Sequence, residues 1–273
     1  MRELQRHRHL PDANRLSTLA AAILLAYALA HLIEIPASEL DLQLPGIYIS
    51  IPLSIQALAA VLIAALTAAG ADWLLRSHPY LGRHNTLEHW LLPALTAGVI
   101  SLPLFQLPLS LVWWAGFAFG GLLLVLVLVA EYIVVDAQDV RHAPAGIGLT
   151  AVSFALFLVL ATGLRYAGLR LFLILPAISL AAWLVSLRAL RLRSPGQWSS
   201  LPAAVMALLI TQIAAGLHYW PLTPVAFGLA LLGPLYSLTS LIGSLADGEP
   251  LRQAVVEPLA LLLLIWGAAA WMQ

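Results

Sequence analysis

The sequence predicts an all-α, polytopic integral membrane helix bundle of about nine transmembrane helices, N-terminus cytoplasmic and C-terminus outside. Three observations predict it. Hydrophobic residues fill 62% of the 273 positions and charged residues only 10%, with a mean hydropathy of +0.93, whereas a soluble domain carries roughly 25% charged residues. The apolar residues gather in runs long enough, at about 1.5 Å per residue, to cross a hydrocarbon core of roughly 30 Å. The arginines then divide unevenly between alternate connections, as the positive-inside rule requires.

The first run, Leu16 to Ile35, follows a basic cytoplasmic tail, residues 1–15, that carries Arg2, Arg6, Arg8 and Arg15. Its Ala28-Leu29-Ala30 step has the small-x-small pattern of a leader cleavage site, and the run is expected to remain as an anchor. Residues 36–50 lack Arg and Lys and alternate around Leu40-Asp41-Leu42-Gln43-Leu44, so an outer interfacial loop, briefly extended, is expected there. The second run extends from Ile51 to Leu75, with Asp72 and Arg76 at i,i+4 at its end. The third, Glu88 to Leu104, is preceded by His84-Asn85-Thr86, where Asn85 and Glu88 have capping-box spacing.

A proline-interrupted hairpin leads into the fourth run, Leu109 to Val135. Its Gly116-x-x-x-Gly120-Gly121 face suits close approach of another helix, including one from a partner protein. After a polar loop, Asp136 to Ala145, come runs five (Gly146 to Leu164) and six (Leu169 to Leu187). A basic loop with Arg188, Arg191 and Arg193 precedes run seven, Leu201 to Leu217. Run eight, Thr223 to Leu245, is broken by Gly233-Pro234, and run nine spans Ala254 to Met272. Arginine occurs four times in the tail, then twice, once, three times and once in successive inner connections, so 11 of the 13 lie inside. The sidedness and composition place a single transmembrane domain, residues 1–273, in a bacterial cytoplasmic membrane, in contact with membrane lipids.

Composition also excludes chemistry. A formal net charge of zero and a pI near 7.1 argue against a nucleic-acid partner. There is no cysteine, hence no disulfide or thiolate nucleophile, and every basic residue other than histidine is arginine, which removes lysine Schiff-base chemistry.

The remaining polar residues concentrate at the inner ends of the runs. His84 and Glu88 share a helix face at i,i+4, and with Asp136 and Asp139 they form a candidate ligand set for a divalent metal. Glu131 and Glu257 lie about a turn or more inside apolar runs, where carboxylates are costly and usually face the bundle interior. Glu88, His89, Glu131 and Glu257 are therefore the candidate catalytic residues for acid/base chemistry on a lipid-like or small amphiphilic substrate. Gly233-Pro234 frees backbone groups at membrane depth, with Ser237 and Ser240 following on one stripe, Ser244 continuing it, and Gln212 on run seven. Ser237, Ser240 and Gln212 are candidate substrate-binding residues, and they suit the alternative of a proton-coupled secondary transporter. A non-catalytic membrane subunit is the third reading. Asp136-x-x-Asp139 on an inner loop of a nine-helix chain resembles, in helix count and sidedness, the intramembrane prenyltransferases, whose aspartates hold Mg²⁺ and a diphosphate. The loop after run six departs from that pattern, since it carries arginine and no acid.

Overall fold

The computed structural model describes residues 10–33, 38–44, 47–53, 55–79, 81, 86–193 and 200–273. Among these residues, nine helices are long and apolar enough to cross a membrane, and the chain is a polytopic membrane helix bundle. They fall into two compact units, Met1–His142 and Ala143–Gln273.

The first unit contains α1 (Ala13–Leu32), a hairpin of β1 (Ser38–Leu44) and β2 (Ile47–Leu53), then α2 (Ile55–Leu75), α3 (Leu87–Gln106) and α4 (Leu111–Val134). The strands pair antiparallel with Leu44 opposite Ile47 and Ser38 opposite Leu53. The alternating stretch is therefore extended, as expected, but it recruits Ile51 to Leu53 from the expected second run, and α2 begins only at Ile55.

Lipid tails are as apolar as leucine, so helices in a bilayer gain little from burying apolar surface against each other. Close packing and hydrogen bonds hold them instead. The small-residue face of α4 serves that purpose within the unit. A Cβ at Gly120 would lie 2.6 Å from Ile100 of α3, one at Gly121 2.9 Å from Leu24 of α1, and Gly116 faces Leu104. The face expected to receive a partner protein through Gly116 and Gly120 is thus filled from within the chain. Tyr27 of α1, 1% exposed, donates to the Ala97 carbonyl of α3 at 2.5 Å.

The second unit contains α5 (His142–Tyr166), α6 (Leu171–Arg193), α7 (Ser200–His218), α8 (Pro224–Ala246), the single turn α9 (Leu251–Ala254) and α10 (Val256–Trp271). Two helices exceed their expected spans at the cytoplasmic-assigned ends. α6 runs on through Arg188, Arg191 and Arg193, because arginine is a good helix former and cations near a helix C-terminus meet the negative end of its dipole. α5 starts at His142 instead of Gly146, Pro144 being tolerated in a first turn where its missing N–H has no helical partner.

Arg165 closes the C-terminus of α7 by donating to the His218 and Trp220 carbonyls at 2.6 and 2.9 Å. At α8, Thr223 caps the N-terminus and also donates to the Met272 carbonyl at 2.9 Å. α5 and α8 meet at Gly228, where a Cβ would lie 2.5 Å from the Thr162 hydroxyl, and again where Phe154 and Tyr236 pack edge to face.

Candidate functional site

The first unit gathers the buried carboxylates and histidines. Among the described residues, those with under 9% exposure are His78, Glu131, Asp136 and Asp139, all on this unit. α3 begins where α4 ends, and this antiparallel pairing brings His89, in the first turn of α3, against Glu131, in the last turns of α4. His89 Nδ1 lies 3.1 Å from Glu131 Oε2, with the two side chains 13% and 1% exposed. Pro93 stands four residues beyond His89 inside α3, so the helix lacks the N–H that would ordinarily meet the His89 carbonyl.

Next to Glu131 on α4, Tyr132 packs edge to face against His78 at 4.5 Å. The start of α3 is fixed by a second polar contact. Asp72 at the end of α2 accepts from the Thr86 hydroxyl and, at 2.7 Å, from Arg76 Nε. Thr86 is the N-cap of α3, yet its side chain makes no cap hydrogen bond because the hydroxyl is engaged by Asp72. The helix therefore starts at Leu87, fastened to α2. Asn85, expected to open a capping box, lies outside the described residues, as does His84.

After α4 the chain turns twice, each turn held by an aspartate. Asp136 accepts from the Gln138 N–H at 2.9 Å and Asp139 from the Arg141 N–H at 2.8 Å. The Asp139 carboxylate also receives the Arg141 guanidinium at both oxygens, 3.1 and 2.8 Å, which raises the guanidinium pKa above its ordinary value. These residues order the turn. Asp139 differs in this from an aspartate held open for Mg²⁺, the role implied by the prenyltransferase resemblance.

The other expected site residues are placed apart from the pair or differently from expectation. Glu88 is half-buried on α3, one residue from His89 and so about 100° round the helix. Glu257 is exposed in the first turn of α10 rather than facing a bundle interior, a position where the helix dipole favours a carboxylate. His84 lies outside the described residues. Among the described residues, no three histidine, aspartate or glutamate side chains come together in a metal-holding arrangement.

Gln212 on α7 is exposed. Ser237 is buried and donates to the Pro258 carbonyl of α10 at 2.8 Å. Pro234 deprives the Ala230 carbonyl of its helical donor, and the Trp266 indole N–H meets that carbonyl at 3.2 Å. α10 gets close enough because Gly233 has no side chain. A Cβ there would lie 3.2 Å from both Leu262 and Trp266. The break in α8 is therefore stitched to α10.

Ser240 and Ser244 continue the stripe as a seat for Arg193. Its guanidinium donates to the Ser240 carbonyl at 3.3 Å, the Ser244 hydroxyl at 3.1 Å and Asp247 at 2.8 Å, lying across Gly243. Sequence spacing exposed the stripe; its occupant comes from another helix and leaves no local signal.

The sequence matches the family described as "Protein of unknown function (DUF5656)" over residues 35–272. The chain belongs to the DUF5656 family. The matched stretch includes β1, β2 and α2 to α10, and so both His89 and Glu131, while α1 precedes it. No curated protein and no solved structure matches this DUF5656 chain.

Proposed function

We propose that this DUF5656 protein binds and processes a lipid-like or small amphiphilic molecule in the bacterial cytoplasmic membrane, with the polar group of that molecule met by His89 and Glu131 on the cytoplasmic side. One observation carries the reading: a carboxylate 1% exposed, on a membrane-spanning helix, is paired with a histidine of the neighbouring helix. A carboxylate inside a membrane span is costly to keep and marks a functional position by default.

The pair has the parts of an acid/base centre. With Glu131 ionised, its oxygen holds the proton on His89 Nδ1, leaving Nε2 as the acceptor for a substrate proton. In this arrangement His89 exchanges the proton and Glu131 fixes the ring and balances the imidazolium that forms. Glu88, half-buried, is the neighbouring carboxylate in the first turn of α3. The transporter alternative draws on the α8 break, whose freed Ala230 carbonyl and Ser237 hydroxyl are both engaged by α10. That favours the His89–Glu131 reading.

The test is mass spectrometry of amphiphiles extracted from the purified protein, comparing wild type with Glu131→Gln and His89→Gln and checking fold by circular dichroism. An amphiphile enriched over the surrounding membrane in wild type and depleted in both folded variants is expected. Equal retention in all three would overturn the proposal.

A further inference from the structure

The second unit carries an apolar groove that the His89–Glu131 reading does not use. It holds about 370 Å³ and is bounded by α7, α8 and α10, with Leu209, Ile213, Leu241, Leu259 and Leu262 among its walls. Ser237 is its one hydroxyl-bearing wall residue, and that hydroxyl already donates to Pro258. Nothing in the walls offers a hydrogen bond to a polar ligand, so the occupant must be hydrocarbon.

The wall from α10 is formed by residues 255, 258, 259, 262 and 266. From Val255 to Trp266 this face extends about 16 Å at 1.5 Å per residue, roughly half of a 30 Å hydrocarbon core. It starts at the α9–α10 junction and ends at the indole that closes the α8 break. A hydrocarbon chain held from its polar end would enter at the junction and run to mid-depth.

Arg252 sits at that entrance. It lies three residues before Val255, a wall of the groove, in a turn where the Ala254 and Val255 N–H groups bond to the Pro250 and Leu251 carbonyls and Val255 has helical dihedrals, so i,i+3 spacing within that turn places it beside the end of the groove. Arg252 is exposed and makes no hydrogen bond or ion pair among the described residues. Of the neighbouring acids, Asp247 is engaged by Arg193, and Glu257 is about 100° round α10 from Pro258. Glu249 is exposed in the preceding turn.

From this we infer a phospholipid site: one acyl chain occupies the α7–α8–α10 groove and the lipid phosphate rests on Arg252. The guanidinium fork suits phosphate oxygens, and an arginine near a membrane surface contributes about 1 kcal/mol to holding an anionic headgroup.

Native mass spectrometry of the detergent-purified full chain, titrated with palmitoyl-oleoyl phosphatidylglycerol and separately with palmitoyl-oleoyl glycerol, tests it. The second probe has the same chains and no phosphate. Arg252→Gln is expected to weaken phosphatidylglycerol binding about fivefold, the equivalent of that single interaction, and to leave the diacylglycerol unchanged. Leu259→Trp, which fills the groove, is expected to abolish binding of both lipids, whereas Leu264→Trp, on an exposed position off the groove face, retains both. Unchanged phosphatidylglycerol binding in Arg252→Gln overturns the phosphate contact, and wild-type binding in Leu259→Trp overturns the groove. Neither result bears on His89 or Glu131, so this site and the acid/base centre fail independently.

Discussion

The two units handle polarity in opposite ways. In the first, buried carboxylates are set against basic side chains: Glu131 with His89, and Asp139 with Arg141. In the second, the buried polar groups among the described residues are serine and threonine hydroxyls together with Arg188, and exposed acids such as Asp247 meet arginine near the surface. Both units contain a carbonyl without a helical donor that is closed by an indole. Trp113 donates at 3.1 Å to Leu104, in the last turn of α3, and Trp266 donates to Ala230, freed by Pro234 inside α8. The difference teaches where chemistry can reside. Hydroxyl and indole contacts close a backbone, whereas a buried carboxylate–imidazole pair has protons to exchange.

The sharpest way to break this contrast is to remove one member of each set. His89→Ala is expected to destabilise the first unit by about 3 kcal/mol, the low end for losing one partner of a buried pair, while Ser237→Ala costs about 0.6 kcal/mol, typical of a hydrogen bond between membrane helices. Reversible unfolding in mixed micelles reads both. Similar losses in the two variants would erase the distinction.

Gly228→Ala tests whether packing alone holds α5 to α8. The new methyl would meet the Thr162 hydroxyl at 2.5 Å and the Leu158 backbone carbonyl at 3.3 Å, and backbone cannot move aside cheaply. A loss of about 1–3 kcal/mol is expected, measured by the same unfolding assay.

The indoles sharpen the comparison further. Trp113 is 2% exposed and Trp266 46% exposed. Trp113→Phe should therefore cost about 1–2 kcal/mol for an unmet buried carbonyl, and Trp266→Phe about 0.6 kcal/mol. A comparably small effect is expected at Gly243→Ala, which pushes the flexible Arg193 side chain off α8 and costs under about 1 kcal/mol, the range of exposed ion pairs. Loss of more than that would make the Arg193 seat a principal contact of the second unit.

The spans were legible in the sequence because a bilayer leaves few options: an apolar run of the right length must be a helix with its backbone bonds made internally. Ends were less legible. α6 passes its expected end because arginine does not break a helix, and the Ile51 to Leu53 stretch joins β2 where hydrophobicity alone reads as helix. For the candidate site, Glu131 stood out as a carboxylate inside an apolar run and His89 as part of a polar helix start, yet nothing local joins residues 42 apart in the chain. Their meeting follows from the antiparallel α3–α4 packing. The serine stripe of α8 was visible as a pattern, but the arginine seated on it comes from α6, and Glu257 was visible as a carboxylate in an apolar run, whereas its place on the exposed face of α10 follows from how that helix packs.

The most direct measurement is a double-mutant cycle on His89 and Glu131, using His89→Gln, Glu131→Gln and the combined variant, read as unfolding free energy in micelles. If the two residues act as one unit, their coupling is about 1–3 kcal/mol, and the combined variant is scarcely worse than either single one. Losses that add to within about 0.5 kcal/mol would show that the residues act independently and contradict a His89–Glu131 centre.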